Sequence, residues 1–158
     1  GSGTISSKFG MSSGNNNTDF FSLTYDNLGS ADFSTQDAFL LNIVTDHFGN
    51  NGASNPQDIS VTVTDGLGNT ATVGNSLTSD PVGFTPNVAY NMYLSYADLV
   101  GYAIDFTDIE SLTLNYEGDK GHDMELNFFA VANVPVPAPG TFGLLSVGLI
   151  GLMLRRRK

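Results

Sequence analysis

The sequence has no cysteine and no tryptophan, and it is poor in positive charge. Without cysteine, disulfide scaffolds, thiolate zinc sites, iron–sulfur clusters and cysteine nucleophiles are excluded. Charged residues make up only 14% of the 158 residues, so asparagine, serine, threonine and glycine must provide the polar surface. The chain is nevertheless 41% hydrophobic and 11% aromatic, which is too apolar for a disordered protein and sufficient for one domain with a core.

The few basic residues are placed unevenly along the chain. Sixteen acidic residues stand against six basic ones, and the net formal charge is -10. Because the last four residues are all basic, the first 154 residues contain only Lys8 and Lys120 and carry a net formal charge of -14. A body of that charge repels phosphate backbones, so we expect no nucleic-acid partner.

The composition divides the chain into four parts. Residues 1–19 are polar and rich in glycine, serine and asparagine, which predicts an N-terminal arm or a poorly patterned first strand. Residues 20–134 form the predicted domain, 135–140 a proline-rich spacer, and 141–158 an apolar helix with a basic terminus. The chain begins at Gly1 and not at methionine, which either removal of a signal peptide or a cloning scar explains.

Apolar and polar residues alternate through most of the domain, which is the pattern of half-buried β-strands. The clearest case is 59–64, where a turn cluster at 65–69 and a resumed alternation at 70–73 predict a β-hairpin. Residues 39–44 are denser in apolar side chains and predict a strand buried on both faces. The expected fold is all-β, a jelly-roll-like antiparallel sandwich of two sheets, with a C-terminal short apolar helix. One short helical turn is expected near 95–99.

The tail has three consecutive parts. Prolines at 135, 137 and 139 predict an extended spacer, because proline joins neither a sheet ladder nor a helix interior. An uncharged run follows at 140–154, and as a helix it reaches about 22 Å, short of a hydrocarbon core of about 30 Å. The basic terminus would remain on the cytoplasmic side. The apolar members are Phe142, Leu144, Leu145, Val147, Leu149, Ile150, Leu152 and Leu154, and the basic stop is Arg155, Arg156, Arg157 and Lys158.

This order of parts resembles the PEP-CTERM sorting signal of Gram-negative bacteria. Pro137, Ala138 and Pro139 stand where that family has Pro-Glu-Pro, with alanine in place of the glutamate. The resemblance implies an exosortase-like processing enzyme as a partner and transient anchoring of the C-terminus in the inner membrane. It further implies secretion to the cell surface or extracellular matrix, and a structural or adhesive role in biofilm without catalysis. An ordinary single-pass anchor and a buried core helix are the alternatives for the apolar run.

The patterns that suggest catalysis lack their structural context. Residues 10–14 match the G-x-S-x-G motif around Ser12, but the apolar strand before it and the helix after it are missing. His47 and His122 each lie beside an aspartate in a glycine- and asparagine-rich segment, where a solvated histidine is ordinary. We therefore expect no enzyme activity and no cofactor.

The acidic residues raise a second hypothesis, a structural calcium site, because Ca²⁺ prefers six to eight oxygen ligands. Asp119 and Asp123 are the named candidates for a metal site. The wider set of oxygen donors is Asp65, Asn69, Glu117, Asp119, Asp123 and Glu125. A solvated acidic face is the simpler interpretation, since no Asp-x-Asp-x-Asp-Gly loop is present.

Two tyrosines suggest a third hypothesis, binding of carbohydrate such as exopolysaccharide. Tyr93 alternates with Tyr90 and Met92 and should point outward, where together with Tyr96 it offers rings that stack on sugars. Packing in the core is the commoner fate of such tyrosines. A self-assembling extracellular fibre subunit, formed by homo-assembly through edge strands, is a further alternative.

Overall fold

The computed structural model describes residues 9–12, 19–45, 48, 57–118 and 123–135. Within these residues the chain forms nine β-strands and one short 3-10 helix, and no α-helix. The strands are β1 Phe9–Ser12, β2 Asp19–Tyr25, β3 Ala38–Thr45, β4 Gln57–Asp65, β5 Thr70–Leu77, β6 Tyr90–Ser95, β7 Val100–Gly101, β8 Ile109–Gly118 and β9 Asp123–Ala132. The 3-10 helix is Tyr96–Asp98, at the place where the sequence predicts a helical turn.

The strands form two antiparallel sheets. Sheet A has the order β1-β9-β3-β6, and sheet B has the order β2-β8-β4-β5-β7. This confirms the prediction of an all-β fold with two antiparallel sheets, including the β4–β5 hairpin, in which Thr64 pairs with Thr70. The predicted C-terminal helix lies outside the described residues, and β1 falls within the predicted N-terminal arm.

The core lies between the two sheets and follows from the alternation of the strands. In β4, Ile59, Val61 and Val63 are buried, while Ser60 and Thr62 between them are half-buried on the outer surface. Each buried aliphatic side chain of this size contributes about 1.5–3 kcal/mol through removal of apolar area from water. The same alternation in β8 adds to the core layer of sheet B, and that in β3, β6 and β9 supplies the opposing side chains from sheet A.

One expectation for β3 is wrong. Phe39, Leu41 and Ile43 are buried, but Leu40 and Val44 on the other face are only half-buried. The reason is that sheet A has a second layer on one side only, formed by sheet B, within the described residues. The apolar outer face of β3 therefore contributes to a surface.

A β-bulge lies between β3 and β9. Asn42 pairs with Phe128 while Ile43 pairs with Leu126, so Asn127 is an extra residue on β9. An inserted residue breaks the strict alternation and re-aims the side chains beside it. As a result, Asn127 and Phe128 lie consecutively on the outer face of sheet A, and Phe129 returns to the core.

At the edge of sheet B, the two-residue strand β7 approaches β5 closely at Gly101. This residue has a φ of +141°, and a Cβ there would lie 2.6 Å from the carbonyl oxygen of Thr70. The Tyr102 amide donates to the same carbonyl at 3.1 Å. Glycine is thus required at 101 by both backbone conformation and space. The short strand covers part of the β5 edge, which is one way that sheets avoid unwanted edge pairing.

Candidate functional site

The outer face of sheet B is a regular array of hydroxyl groups. Thr24, Thr113, Thr62 and Thr72 occupy facing positions on four adjacent strands. The Oγ1 atoms of Thr62 and Thr72 lie 2.8 Å apart, and those of Thr24 and Thr113 lie 3.2 Å apart. Threonine is favoured in strands, and threonine pairs across strands stabilise sheets. This hydroxyl face, defined by the four threonines, is therefore explained by the fold alone.

The outer face of sheet A is chemically different, because it carries a ladder of three asparagines. The Asn127 Nδ2 group donates to Asn42 Oδ1 at 2.8 Å, and the Asn42 Nδ2 group donates to Asn91 Oδ1 at 2.6 Å. The ladder crosses strands β9, β3 and β6 in one line. Asparagine is depleted in strands, and the ladder hydrogen bonds do no more than offset its lower strand propensity relative to valine. A reason other than strand stability is needed for them.

An apolar row runs beside the asparagine ladder. Tyr93 and Ala130 both pair with Leu40, so these three residues cross β6, β3 and β9 in a second line. On β3 and β6 the apolar row is two residues from the ladder, which places the two lines about 6.8 Å apart. All three side chains are half-buried and point away from the core. Phe128, paired with Asn42, adds a second aromatic ring to this surface.

We call this surface the amide–aromatic face, defined by Leu40, Asn42, Asn91, Tyr93, Asn127, Phe128 and Ala130. Each asparagine amide offers two N–H donors and an acceptor oxygen with two lone pairs. A ladder bond uses one donor and one lone pair, so donors and acceptors remain in alternation along the line. A row of neutral donor–acceptor groups beside aromatic and aliphatic side chains matches a ligand with hydroxyl groups on its rim and an apolar ring face. Sugars have this character.

The structure separates the two tyrosines that the sequence suggested for glycan binding. Tyr93 points outward on β6, as predicted from the alternation. Tyr96 lies in the 3-10 helix that follows, where its ring stacks on Phe106 at a centroid distance of 4.4 Å and an angle of 11°. It also contacts Phe39 at 4.8 Å. Because Tyr96 packs against the edge of the core, we retain only Tyr93 as a stacking residue.

The electrostatics of Tyr96 fit this packing role. Burial raises the pKa of the Tyr96 hydroxyl, and the nearby carboxylate of Asp37 raises it further. The hydroxyl is buried without a hydrogen-bond partner among the described residues. A ring held in this way stabilises the short helix at the end of β6 and does not present a face to a ligand.

Asp65, one of the oxygen donors considered for calcium, closes the β4–β5 turn instead. Its Oδ1 atom accepts from the backbone amides of Leu67 at 3.0 Å and Asn69 at 2.9 Å. Its Oδ2 atom accepts from Asn69 Nδ2 at 3.0 Å and from the Asp105 amide at 3.3 Å. The Asn69 side chain, followed by the backbone donors, holds the pKa of the Asp65 carboxyl below its usual value. These oxygens are occupied by N–H donors, which argues for a structural role.

The other calcium candidates are not brought together in the described part of the chain. Glu117 lies on β8 in sheet B and Glu125 on β9 in sheet A. Asp119 lies outside the described residues, and only the backbone of Asp123 is described, paired with Ser12. Across the described ranges, no three histidine, aspartate or glutamate side chains are grouped in a way that holds a metal ion.

Several sequence predictions fall on residues that the structure does not describe. They are His47, His122, the motif at Pro137, Ala138 and Pro139, the apolar run to Leu154, and the basic stop at 155–158. Among the helices of the described part, none is long and apolar enough to cross a membrane. The tail must therefore be judged from its sequence.

That judgement comes from comparison with known families. Residues 135–158 match the family model of the PEP-CTERM protein-sorting motif. The chain carries a PEP-CTERM motif. This confirms the resemblance to that sorting signal noted in the sequence. The PEP-CTERM motif indicates an exported protein that is anchored transiently in the membrane, and it describes the route of the chain and not the activity of its body.

Comparisons of the whole chain identify neither a family nor a ligand for the body of the protein. No curated protein matches it. One similar solved structure is PfGH50B, with 7% sequence identity and a TM-score of 0.49; the match covers 84% of this chain and 23% of that chain. A second is the agarase AgWH50C, with 14% identity and a TM-score of 0.43; the match covers 75% of this chain and 19% of that chain. Another is the Family 11 Carbohydrate-Binding Module from Clostridium thermocellum in complex with a β-1,3-1,4-mixed-linked tetrasaccharide, with 10% identity and a TM-score of 0.45; the match covers 86% of this chain and 90% of that chain. The chain spans less than a quarter of PfGH50B and of AgWH50C. These TM-scores are too low to assign a ligand, and we take none from them.

Proposed function

We propose that this chain is a non-enzymatic protein of the bacterial cell surface or extracellular matrix that binds polysaccharide through its amide–aromatic face. The PEP-CTERM motif supports the export that such a role requires, with an exosortase-like enzyme as the processing partner. The observation that carries the binding proposal is the asparagine ladder of Asn127, Asn42 and Asn91 beside the ring of Tyr93.

The winding of the strands agrees with a binding role. With the two-residue β7 set aside, the remaining eight strands have the orders 1-8-3-6 and 2-7-4-5, which we interpret as a jelly roll. Lectin domains are among the proteins built on that architecture. Because a fold does not determine a function, this agreement is an analogy. What the architecture supplies is a broad sheet surface on which side chains from several strands lie in register.

The groups on the face favour binding without hydrolysis. Glycoside hydrolysis ordinarily needs two carboxyl groups on either side of the scissile bond, about 5 to 9.5 Å apart. The seven residues of the amide–aromatic face include no carboxylate, and the adjacent acidic residue on β9 is Glu125, which pairs with Val44. A single carboxylate at the margin does not form such a pair. The face therefore offers recognition by neutral hydrogen bonds and ring contacts.

An adhesive role follows if the polysaccharide belongs to the matrix that surrounds the cell. A domain that is exported and held briefly at the membrane meets such a polymer at the surface, and binding would retain the protein there. Homo-assembly into fibres remains a separate prediction from the sequence. Sedimentation velocity of the purified chain tests it, because a monomer at high concentration contradicts fibre formation.

Affinity electrophoresis tests the proposed function. The full chain is run in native gels with and without the exopolysaccharide of its host, and we expect the polymer to slow its migration. Tyr93→Ala should weaken the retention about 3- to 10-fold, as expected for loss of one stacking ring. Tyr102→Ala is the matched control, since Tyr102 is 73% exposed and lies outside the face. Equal effects of the two substitutions, or unretarded wild-type protein, would contradict the proposal.

A further inference from the structure

Among the residues that the structure describes, no positive charge lies near the amide–aromatic face. All seven of its residues are neutral, and the described residues contain neither lysine nor arginine. Acidic polysaccharides, with their carboxylate or sulfate groups, are bound best by arginine and lysine, which form charge-assisted hydrogen bonds. The first 154 residues carry a net formal charge of -14, which would repel an anionic polymer.

The neutral asparagine ladder favours ligand groups that both donate and accept hydrogen bonds. A carboxylate or sulfate only accepts hydrogen bonds, whereas a sugar hydroxyl both donates and accepts. The amides of Asn127, Asn42 and Asn91 offer donors and acceptors in alternation along one line. An acceptor-only ligand would leave the amide oxygens of this line unpaired at the interface, which costs binding free energy. Hydroxyl groups satisfy both halves of each amide.

The geometry of the two rows indicates how a linear ligand would be oriented on the face. The asparagine ladder and the apolar row of Tyr93, Leu40 and Ala130 both run across the strands. With neighbouring strands about 4.8 Å apart, each row is about 10 Å long from β9 to β6. A linear chain that lies across the strands places its ring faces on the apolar row and its hydroxyls on the ladder. β6 is the edge of sheet A, so a polymer continues past it.

From these observations we infer that the ligand is a neutral, linear polysaccharide, bound along an internal stretch of the chain that crosses β9, β3 and β6. The inference rests on the proposed function and names the class of polymer. Recognition uses hydroxyl pairs and ring faces, and it uses neither charge nor a chain end.

Isothermal titration of the full chain with defined polymers, in the presence of EDTA to prevent bridging by calcium, tests this class. The neutral probes are hydroxyethylcellulose, linear mannan and linear xylan, together with the host exopolysaccharide, and the acidic probes are alginate and polygalacturonate. We expect at least one neutral polymer to bind at least about tenfold more tightly than either acidic polymer. Affinity for it should change less than about twofold between 50 and 500 mM NaCl, since no ion pair is screened. It should also increase with the length of its oligosaccharides, and the monosaccharide should compete poorly.

A matched pair of variants locates the binding. Asn42→Ala removes the centre of the ladder, and Asn115→Ala removes a half-buried asparagine on the outer face of sheet B. The first should weaken binding of the neutral polymer at least about fivefold, and the second should leave it unchanged.

The outcomes separate the inference from the proposed function. Tight binding of alginate or polygalacturonate that Asn42→Ala weakens would overturn the neutral class and leave polysaccharide binding intact. Full competition by a monosaccharide would overturn the internal-stretch assignment alone. An absence of binding to every polymer, or binding that Asn42→Ala and Asn115→Ala affect equally, would overturn the proposed function and this inference with it.

Discussion

Replacing Asn42 by valine asks whether the asparagine ladder serves the ligand or the fold. The substitution removes two hydrogen bonds, at 2.6 and 2.8 Å. A neutral hydrogen bond contributes a net 0.5–1.5 kcal/mol or so, and the lower end applies to half-buried partners that can turn to water, so the loss is about 1 kcal/mol. Valine stabilises the strand by up to about 1 kcal/mol relative to asparagine, because its strand propensity is higher. The two terms nearly cancel, and the melting temperature should move by less than about 4 °C.

The effect on binding should be much larger than the effect on stability. A polysaccharide hydroxyl that loses its partner at the centre of the ladder costs about 1–3 kcal/mol, which corresponds to a roughly 5- to 150-fold increase in Kd. Urea unfolding and titration with the polymer measure the two quantities on the same preparation. Thr62→Val is the control, since it removes a 2.8 Å bond from the hydroxyl face and should leave Kd unchanged.

Two results would refute this reasoning. Wild-type affinity in Asn42→Val would show that the ladder does not contact the ligand. A loss of about 3 kcal/mol or more in the free energy of unfolding, with an unchanged denaturant slope, would show that the three asparagines stabilise the sheet. Either result would remove the observation on which the binding proposal depends.

Three further predictions concern the turn, the edge and the tail. The pKa of Asp65 is lowered in the fold, so its stabilisation is present above the unfolded pKa of about 4 and lost as pH falls through the folded value. Asp65→Asn should reduce this loss of stability at low pH, measured by unfolding monitored by circular dichroism. An unchanged dependence of stability on pH would contradict the assignment. Gly101→Ala should destabilise the domain by about 1–3 kcal/mol in urea, because its Cβ meets the Thr70 carbonyl, and more than Gly68→Ala, which meets nothing within 4 Å. Deleting residues 137–158 should abolish surface labelling of intact cells, and unchanged labelling would overturn the proposed routing.

Much of the fold was predictable because two-residue alternation is local information. The β4–β5 hairpin follows from the apolar residues of β4 and the turn cluster at 65–69, and the outward direction of Tyr93 follows from its neighbours on β6. Burial of β3 on both faces was a wrong prediction, because its apolar outer residues Leu40 and Val44 belong to a surface. Composition alone does not distinguish a doubly covered strand from one with an apolar outer face.

The candidate site was largely invisible in the sequence. Asn42 is 49 positions from Asn91 and 85 positions from Asn127 in the sequence. Only the pairing of β3 with β6 and β9 brings the three residues together. The bulge that turns Asn127 and Phe128 to one face is a shift of register, which no local pattern encodes. Tyr96 was misleading for a related reason, since the 3-10 helix after β6 turns its ring toward Phe106. The usable signal was the unusual number of asparagines in strand positions.

The side-chain amide resonances of the asparagines test the central claim most directly. In a two-dimensional NMR titration of the chain with a soluble neutral oligosaccharide, the account predicts that the amide signals of Asn42, Asn91 and Asn127 shift together along one binding curve. The amide signal of Asn115, on the opposite face, should not move. Shifts confined to other residues, or no shifts at saturating oligosaccharide, would contradict the claim that this face of sheet A is the binding surface.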